Sequence, residues 1–302
     1  MTVTLSVNTN PLINRVGDLG DLARIAADEI GIRRLQLTHE FINPTWPVAA
    51  QHRLVRAFTK AAAPRGLRAT SLMTGAQARL LAMGHPDPDV RRWTVDWFIG
   101  FARIAGDLGA RSIGSQFAIL TWADHDDPAR REARITAALD GWEEIWTAAE
   151  AFGLDFLFWE TMSVGRELGH TIKATEDLQR RVRARGLPLK LLLDVDHGDL
   201  SSPDPDDTDP FAWIRAFGKE SPIVHVKQSS ASNKGGHFPF VEPYNSNGRI
   251  DPAEIAAAVA EHGPAECELC MELSFREREP ADRLVIPQLA ASVDYWRPYV
   301  TV

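Results

Sequence analysis

Residues 189–199 read LKLLLDVDHGD, an apolar run of strand length that turns acidic and imidazole-bearing as it ends. Three further runs share this form: DFLFWE at 155–160, PIVHVKQ at 222–228 and ECELCMEL at 266–273. Each carries a carboxylate or imidazole near its C-terminal end, namely Asp194, Glu160, His225 and Glu272. Burying one such charge unpaired costs on the order of several kcal/mol. Four of them on consecutive strands therefore call for something cationic among them.

Outward from these runs, short β-branched and apolar stretches alternate with longer stretches of helical periodicity, the pattern of parallel strands joined by crossover helices. Strands are predicted at residues 2–8, 34–38, 68–73, 112–118, 155–160, 189–194, 223–227 and 268–274. Helices are predicted at 19–30, 47–62, 88–106, 128–152, 171–185, 210–217, 251–261 and 281–296. Polar caps followed by proline, as in Asp127-Pro128 and Asp251-Pro252, mark helix starts. Eight such pairs predict an α/β fold, a (β/α)8 TIM barrel in which residues 1–302 form a single domain. An open doubly wound sheet would want a glycine-rich first turn, and residues 8–14 contain neither GxG nor a P-loop.

Two connections are too long to be simple turns, HGDLSSPDPDDTDP at 197–210 and QSSASNKGGHFPFVEPYNSNGR at 228–249. Both follow strands, and in a barrel the loops after strands surround the C-terminal mouth where such enzymes keep their sites.

A net charge of −8 opposes non-specific attraction to nucleic acid and to anionic membranes. Residues 1–10 lack a basic segment followed by an apolar one, and no run approaches the ~18–20 apolar residues of a membrane helix. A cytoplasmic protein is expected. The two cysteines, Cys267 and Cys270, are three apart on a strand and so point to opposite faces; they are expected to be separate buried thiols.

Three carboxylates and one imidazole form a mostly hard, oxygen-rich donor set, so Mn2+ or Mg2+ is the expected ion, with Co2+ or Zn2+ admitted by the histidine. Strand alternation agrees: with Glu272 inward, Leu269, Met271, Leu273 and Phe275 face the helices.

At this point the chain resembles the xylose isomerase-like barrel superfamily, in particular its sugar 3-epimerase branch related to tagatose and psicose 3-epimerases. That resemblance implies metal ligation by Glu160, Asp194, His225 and Glu272, and a substrate-contact role for His197 in the Asp-x-x-His spacing from Asp194. The stretches LQLTHEFINPTW, FWETMSVGRELG, DVDHGD, HVKQS and MELSFREREP look like the erythrulose phosphate 3-epimerases of erythritol catabolism, also described as tetrulose phosphate racemases. Glu167, within the second stretch, is carried over as a substrate contact. One departure is that the branch's Arg a few residues after the metal His is missing here; residues 226–233 supply only Lys227.

The implied reaction inverts C3 of a small ketose phosphate through an enediolate, with Glu160 and Glu272 as the acid/base pair. An aldose–ketose isomerase on the same metal site is the alternative. Lys227 and Lys234 are the expected anchors for a phosphate; His39 and Glu40, ending strand two, and Gln116, ending strand four, are read either as substrate contacts or as satisfied polar groups of the core. An apurinic endonuclease shares the barrel but needs a basic face, which this acidic chain lacks. Partners are expected to be a small sugar or sugar phosphate and, from aromatic residues near the mouth, a second copy of the chain.

Overall fold

The computed structural model describes residues 2–75 and 83–302. Seven strands come first: β1 (Thr2–Asn8), β2 (Arg34–Thr38), β3 (Arg68–Met73), β4 (Ser112–Gln116), β5 (Phe156–Glu160), β6 (Leu189–Asp194) and β7 (Ile223–Val226). A short hairpin, β8 (Gln228–Ser230) and β9 (Asn233–Phe238), precedes β10 (Glu266–Met271). The barrel closes in the order β1-β10-β7-β6-β5-β4-β3-β2, with every neighbouring pair parallel. The predicted (β/α)8 barrel is therefore present.

Boundaries shift where hydrogen bonding, not residue type, ends the ladder. The last strand begins at Glu266 and stops at Met271, although the Glu272 amide still donates to Val226 O at 3.1 Å. The first helix is α only over Leu19–Arg24 and continues as a wider turn to Ile30, where Gly31 at φ 80° stops it. The loop at 228–249 is not structureless: β8 and β9 pair antiparallel within it.

Two sets of side chains follow from the period-2 pleat. Leu157, Trp159, Leu191, Leu193, Val224, Val226, Leu269 and Met271 belong to the layer packed under the helices. Met73, Phe158, Leu192, Ile223 and Cys270 fill the barrel interior. Fully burying a side chain of this size contributes about 1.5–3 kcal/mol, so this plug is a substantial anchor for the strand ends above it. Gly114 makes room for it, since a Cβ there would lie 2.2 Å from the Phe158 ring. Cys267 and Cys270 fall on opposite faces as free buried thiols, and burial pushes the Cys267 thiol up to about 12. Among the described residues, no helix is long and apolar enough to cross a membrane.

Candidate metal centre and active site

The inward parity that places Phe158, Leu192, Ile223 and Cys270 in the plug brings up the next inward residues, Glu160, Asp194, His225 and Glu272, on four adjacent strands or just beyond them. One ligand atom from each lies within 4.8 Å of the other three. Two ligands on opposite sides of an ion at ~2.1 Å stand about 4.2 Å apart, so the cluster has the size of a coordination sphere.

The His225 ring supplies Nδ1 to this centre, at 3.1 Å from Glu160 Oε1, 3.4 Å from Glu272 Oε2 and 3.9 Å from Asp194 Oδ2. Its Nε2 lies 2.8 Å from Gln36 Oε1. Gln36 Oε1 also accepts from Asn8 Nδ2 at 2.7 Å while Gln36 Nε2 donates to Ser71 Oγ, so the oxygen faces the ring and Nε2–H donates to it. An amide holding the far nitrogen of a ligating histidine in this way fixes tautomer and ring plane. Gln36 escaped the sequence reading because its partners come from strands far apart in the chain.

Asp194 is held on both oxygens: Oδ1 accepts from the Asp196 amide at 2.9 Å and Oδ2 from Lys227 Nζ at 2.6 Å. Burial pushes the Asp194 carboxyl up, but His197 and Lys227 outweigh burial and hold it below the usual range. Burial likewise pushes Glu272 up, and the charge of His225 wins, leaving it well below that range. In the absence of an ion, His225 is the reverse case, with burial opposed by Glu272 and its pKa well above normal.

The donor set fits a divalent cation. Counting a neutral imidazole, three carboxylates and the Lys227 ammonium sum to −2, and among the described residues the buried Glu272 Oε2 has no hydrogen-bond partner. A divalent ion held by Glu160, Asp194, His225 and Glu272 would remove both deficits. A second group, Asp194, His197 and His237, also converges. Lys227 Nζ already sits between Asp194 Oδ2 and His237 Nε2, the latter at 2.9 Å, so a cation of the protein itself takes that place.

A cavity of about 520 Å³ opens above the centre. Of the four ligands only Glu160 and Glu272 line it, together with His197, His237, Glu40 and Gln116. His197 Nδ1 lies 2.8 Å from Thr161 O and donates to it, which leaves Nε2 as the acceptor, 3.7 Å from Asp194 Oδ2.

The expected phosphate anchors are not at this cavity. Lys227 is fully buried and its ammonium is engaged by Asp194, where Asp194 and Glu272 together overcome the effect of burial and hold its pKa above normal. Lys234 is exposed and donates to Thr208 Oγ1 at 3.2 Å. Lys234 and His237 are three apart on β9 and so point to opposite faces; the histidine is the one turned inward, 3.3 Å from Glu272 Oε2. The hairpin is fixed there by Asp196, which accepts from the Gly235 amide and from Arg249 Nη1 at 2.5 Å. His39 is buried behind the wall, accepting from the Gly75 amide at 3.0 Å, while its neighbour Glu40 reaches the cavity. Glu167 is buried outside the lining, its Oε1 3.2 Å from Arg166 Nη2.

Comparison with known proteins agrees with this geometry. A model of the xylose isomerase-like TIM barrel family matches residues 25–290. The D-erythrulose 1-phosphate 3-epimerase of Brucella abortus (strain 2308) is 52% identical over 302 residues, covering 99% of this chain and 97% of that one. A Rhodospirillum rubrum protein provisionally named a xylose isomerase superposes with a TM-score of 0.88 at 21% identity, over 98% of this chain and 99% of its own. The D-psicose 3-epimerase of Clostridium cellulolyticum H10, solved with D-tagatose, gives 0.72 at 16% identity, over 99% and 100%. At these identities the two structures speak for the fold.

Proposed function

The chain belongs to the xylose isomerase-like TIM barrel family, and on that premise we propose that it is a metal-dependent 3-epimerase of a short ketose phosphate, D-erythrulose 1-phosphate first. One observation carries the reading: of the four converging ligands, only the two glutamates at the ends of the arc, Glu160 and Glu272, open onto the cavity. A carbon between them meets one carboxyl group on each face, the arrangement epimerisation needs.

A bound divalent ion supplies Lewis-acid polarisation of the ketone and its neighbouring hydroxyl. The hard donor set favours Mn2+ or Mg2+. One glutamate takes the C3 proton and the other returns a proton from the opposite face, the roles exchanging with reaction direction. Lys227 and the Asp196 amide keep Asp194 ionised and immobile, and Gln36 keeps His225 in register. His197 Nε2 accepts from a substrate hydroxyl, since Thr161 O has fixed the proton on Nδ1. The walls around the glutamates include Met73, Met162 and Leu273, which limit water at the reacting carbon.

The test is turnover of D-erythrulose 1-phosphate by the metal-loaded protein in heavy water. Deuterium at C3 with formation of the C3 epimer is the expected result. An aldose phosphate product would assign the same centre to isomerisation between C1 and C2 and refute the epimerase.

A further inference from the structure

With both lysines excluded from the cavity, the charge that receives a substrate phosphate must come from elsewhere. Among the described residues, Arg15 is the one lysine or arginine that lines the cavity; its other charged walls are Glu40, Glu160, Glu272 and Glu277, with His197 and His237 beside them. A dianion placed away from Arg15 would therefore meet carboxylates. The geometry points to Arg15, on a cavity wall that also includes Asn10, Asn14 and Ser274, as the seat of the substrate's phosphate. This inference rests on the proposed action on a ketose phosphate.

Arg15 is prepared for that task. Its Nε donates to Asp282 Oδ1 at 2.8 Å and its Nη1 to Pro11 O at 3.0 Å, which fix the plane of the guanidinium. Its Nη2 is buried 2.6 Å from the same Asp282 oxygen and, among the described residues, makes no further hydrogen bond. The side chain is only 13% exposed, against 41% for Asp282, so the carboxylate's charge is the better screened of the two. A guanidinium has five N–H groups in a planar fork suited to phosphate oxygens, and those not used by Asp282 and Pro11 remain for an anion. The chain reaches this position through Asn14 at φ 61°, a left-handed conformation that asparagine tolerates and that turns the segment after β1 across the mouth. The phosphate would then sit at the β1 and β10 side of the mouth, leaving the ketose end for Glu160 and Glu272.

The experiment compares the metal-loaded parent with Arg15→Met and Arg15→Lys. For D-erythrulose 1-phosphate, Arg15→Met is expected to raise KM roughly 10- to 100-fold, and Arg15→Lys less, because a cation without the fork remains. Unphosphorylated D-erythrulose should show no such change. Binding of inorganic phosphate, followed by calorimetry on the same proteins without turnover, should be present in the parent and lost in Arg15→Met. If Arg15→Met keeps the parent's KM, or still binds phosphate, the anion is held by the metal or another residue and the assignment is overturned while the epimerase stands. If the parent turns over no ketose phosphate, the proposed function falls by itself, and the phosphate-binding comparison still decides Arg15. Should Arg15→Met melt below the parent through loss of the Asp282 pair, the Arg15→Lys values carry the comparison, and an unchanged KM there together with unchanged phosphate affinity overturns it.

Discussion

Replacing Lys227 by methionine tests whether an internal ammonium is built into the metal centre. The two side chains are close in length, so the volume is kept while the charge is removed. In the parent, Nζ lies 2.6 Å from Asp194 Oδ2 and 3.9 Å from Glu272 Oε2, with no solvent exposure. Removing one partner of a buried pair costs about 3–5 kcal/mol. Asp194 keeps the Asp196 amide, which argues for the lower end. At roughly 2–4 °C per kcal/mol for a large domain, the chelator-stripped variant should melt about 6–12 °C below the stripped parent. The same change removes a unit charge that repels a divalent ion, an effect on the order of 8 kcal/mol at ~4 Å and an effective dielectric near 20. Loading with Mn2+ should therefore raise the variant's melting temperature more than the parent's, recovering most of the loss. Thermal denaturation by circular dichroism with and without the ion measures all four values. Equal melting of the two stripped proteins, or equal stabilisation by the ion, would refute the electrostatic account.

Glu160→Gln and Glu272→Gln should each lower kcat by roughly 10²- to 10⁴-fold when the metal content is matched to the parent's, a loss that single-turnover measurements would locate in proton transfer. Because His225 lies between Glu160 and Glu272 with its pKa well above normal in the ion-free site, loading must expel its proton; calorimetry in two buffers of different ionisation heat should report about one proton released near neutrality, with apparent metal affinity rising as pH rises. At the opposite end of the barrel, burial pushes the Glu268 carboxyl up despite donation from Ser6 and Thr70. A raised carboxyl pKa means that the unfolded chain loses its proton first, so the penalty starts above about pH 4.3 and is complete above the folded-state pKa. Glu268→Gln should thus gain stability relative to the parent on going from pH 4 to pH 7 in urea titrations, and a difference that does not change with pH would rule this out.

Much of the molecule was legible in one dimension because barrel strands repeat a local rule. The runs ending at Glu160 and Asp194 announce their own boundaries, since an apolar strand with a charged terminus has a buried body and an end that must face something polar. Period-2 alternation then put His225 and Glu272 on the same inner face, and four adjacent strands supplied a donor set without knowledge of any distance. Side-chain reach was not legible. Lys227, ending a predicted strand, and Lys234, in the loop that follows it, look alike in sequence as cations at the mouth, yet one is buried against Asp194 and the other projects outward to Thr208. The parity of β9 turns Lys234 away from the cavity and His237 toward it, and β9 forms where the loop folds back as a hairpin anchored on Asp196.

The order of apolar and charged residues along the chain by itself determined the barrel, its eight strands and the identity of the converging ligands, because those follow from burial and from the alternation of neighbouring side chains. Tertiary structure alone decided that Gln36 orients His225, that His237 turns inward over Glu272, that Lys227 is a structural cation of the centre, and that Arg15 faces the cavity. Each of these depends on contacts between segments far apart in sequence, whose distances are set by barrel closure and not by any local pattern.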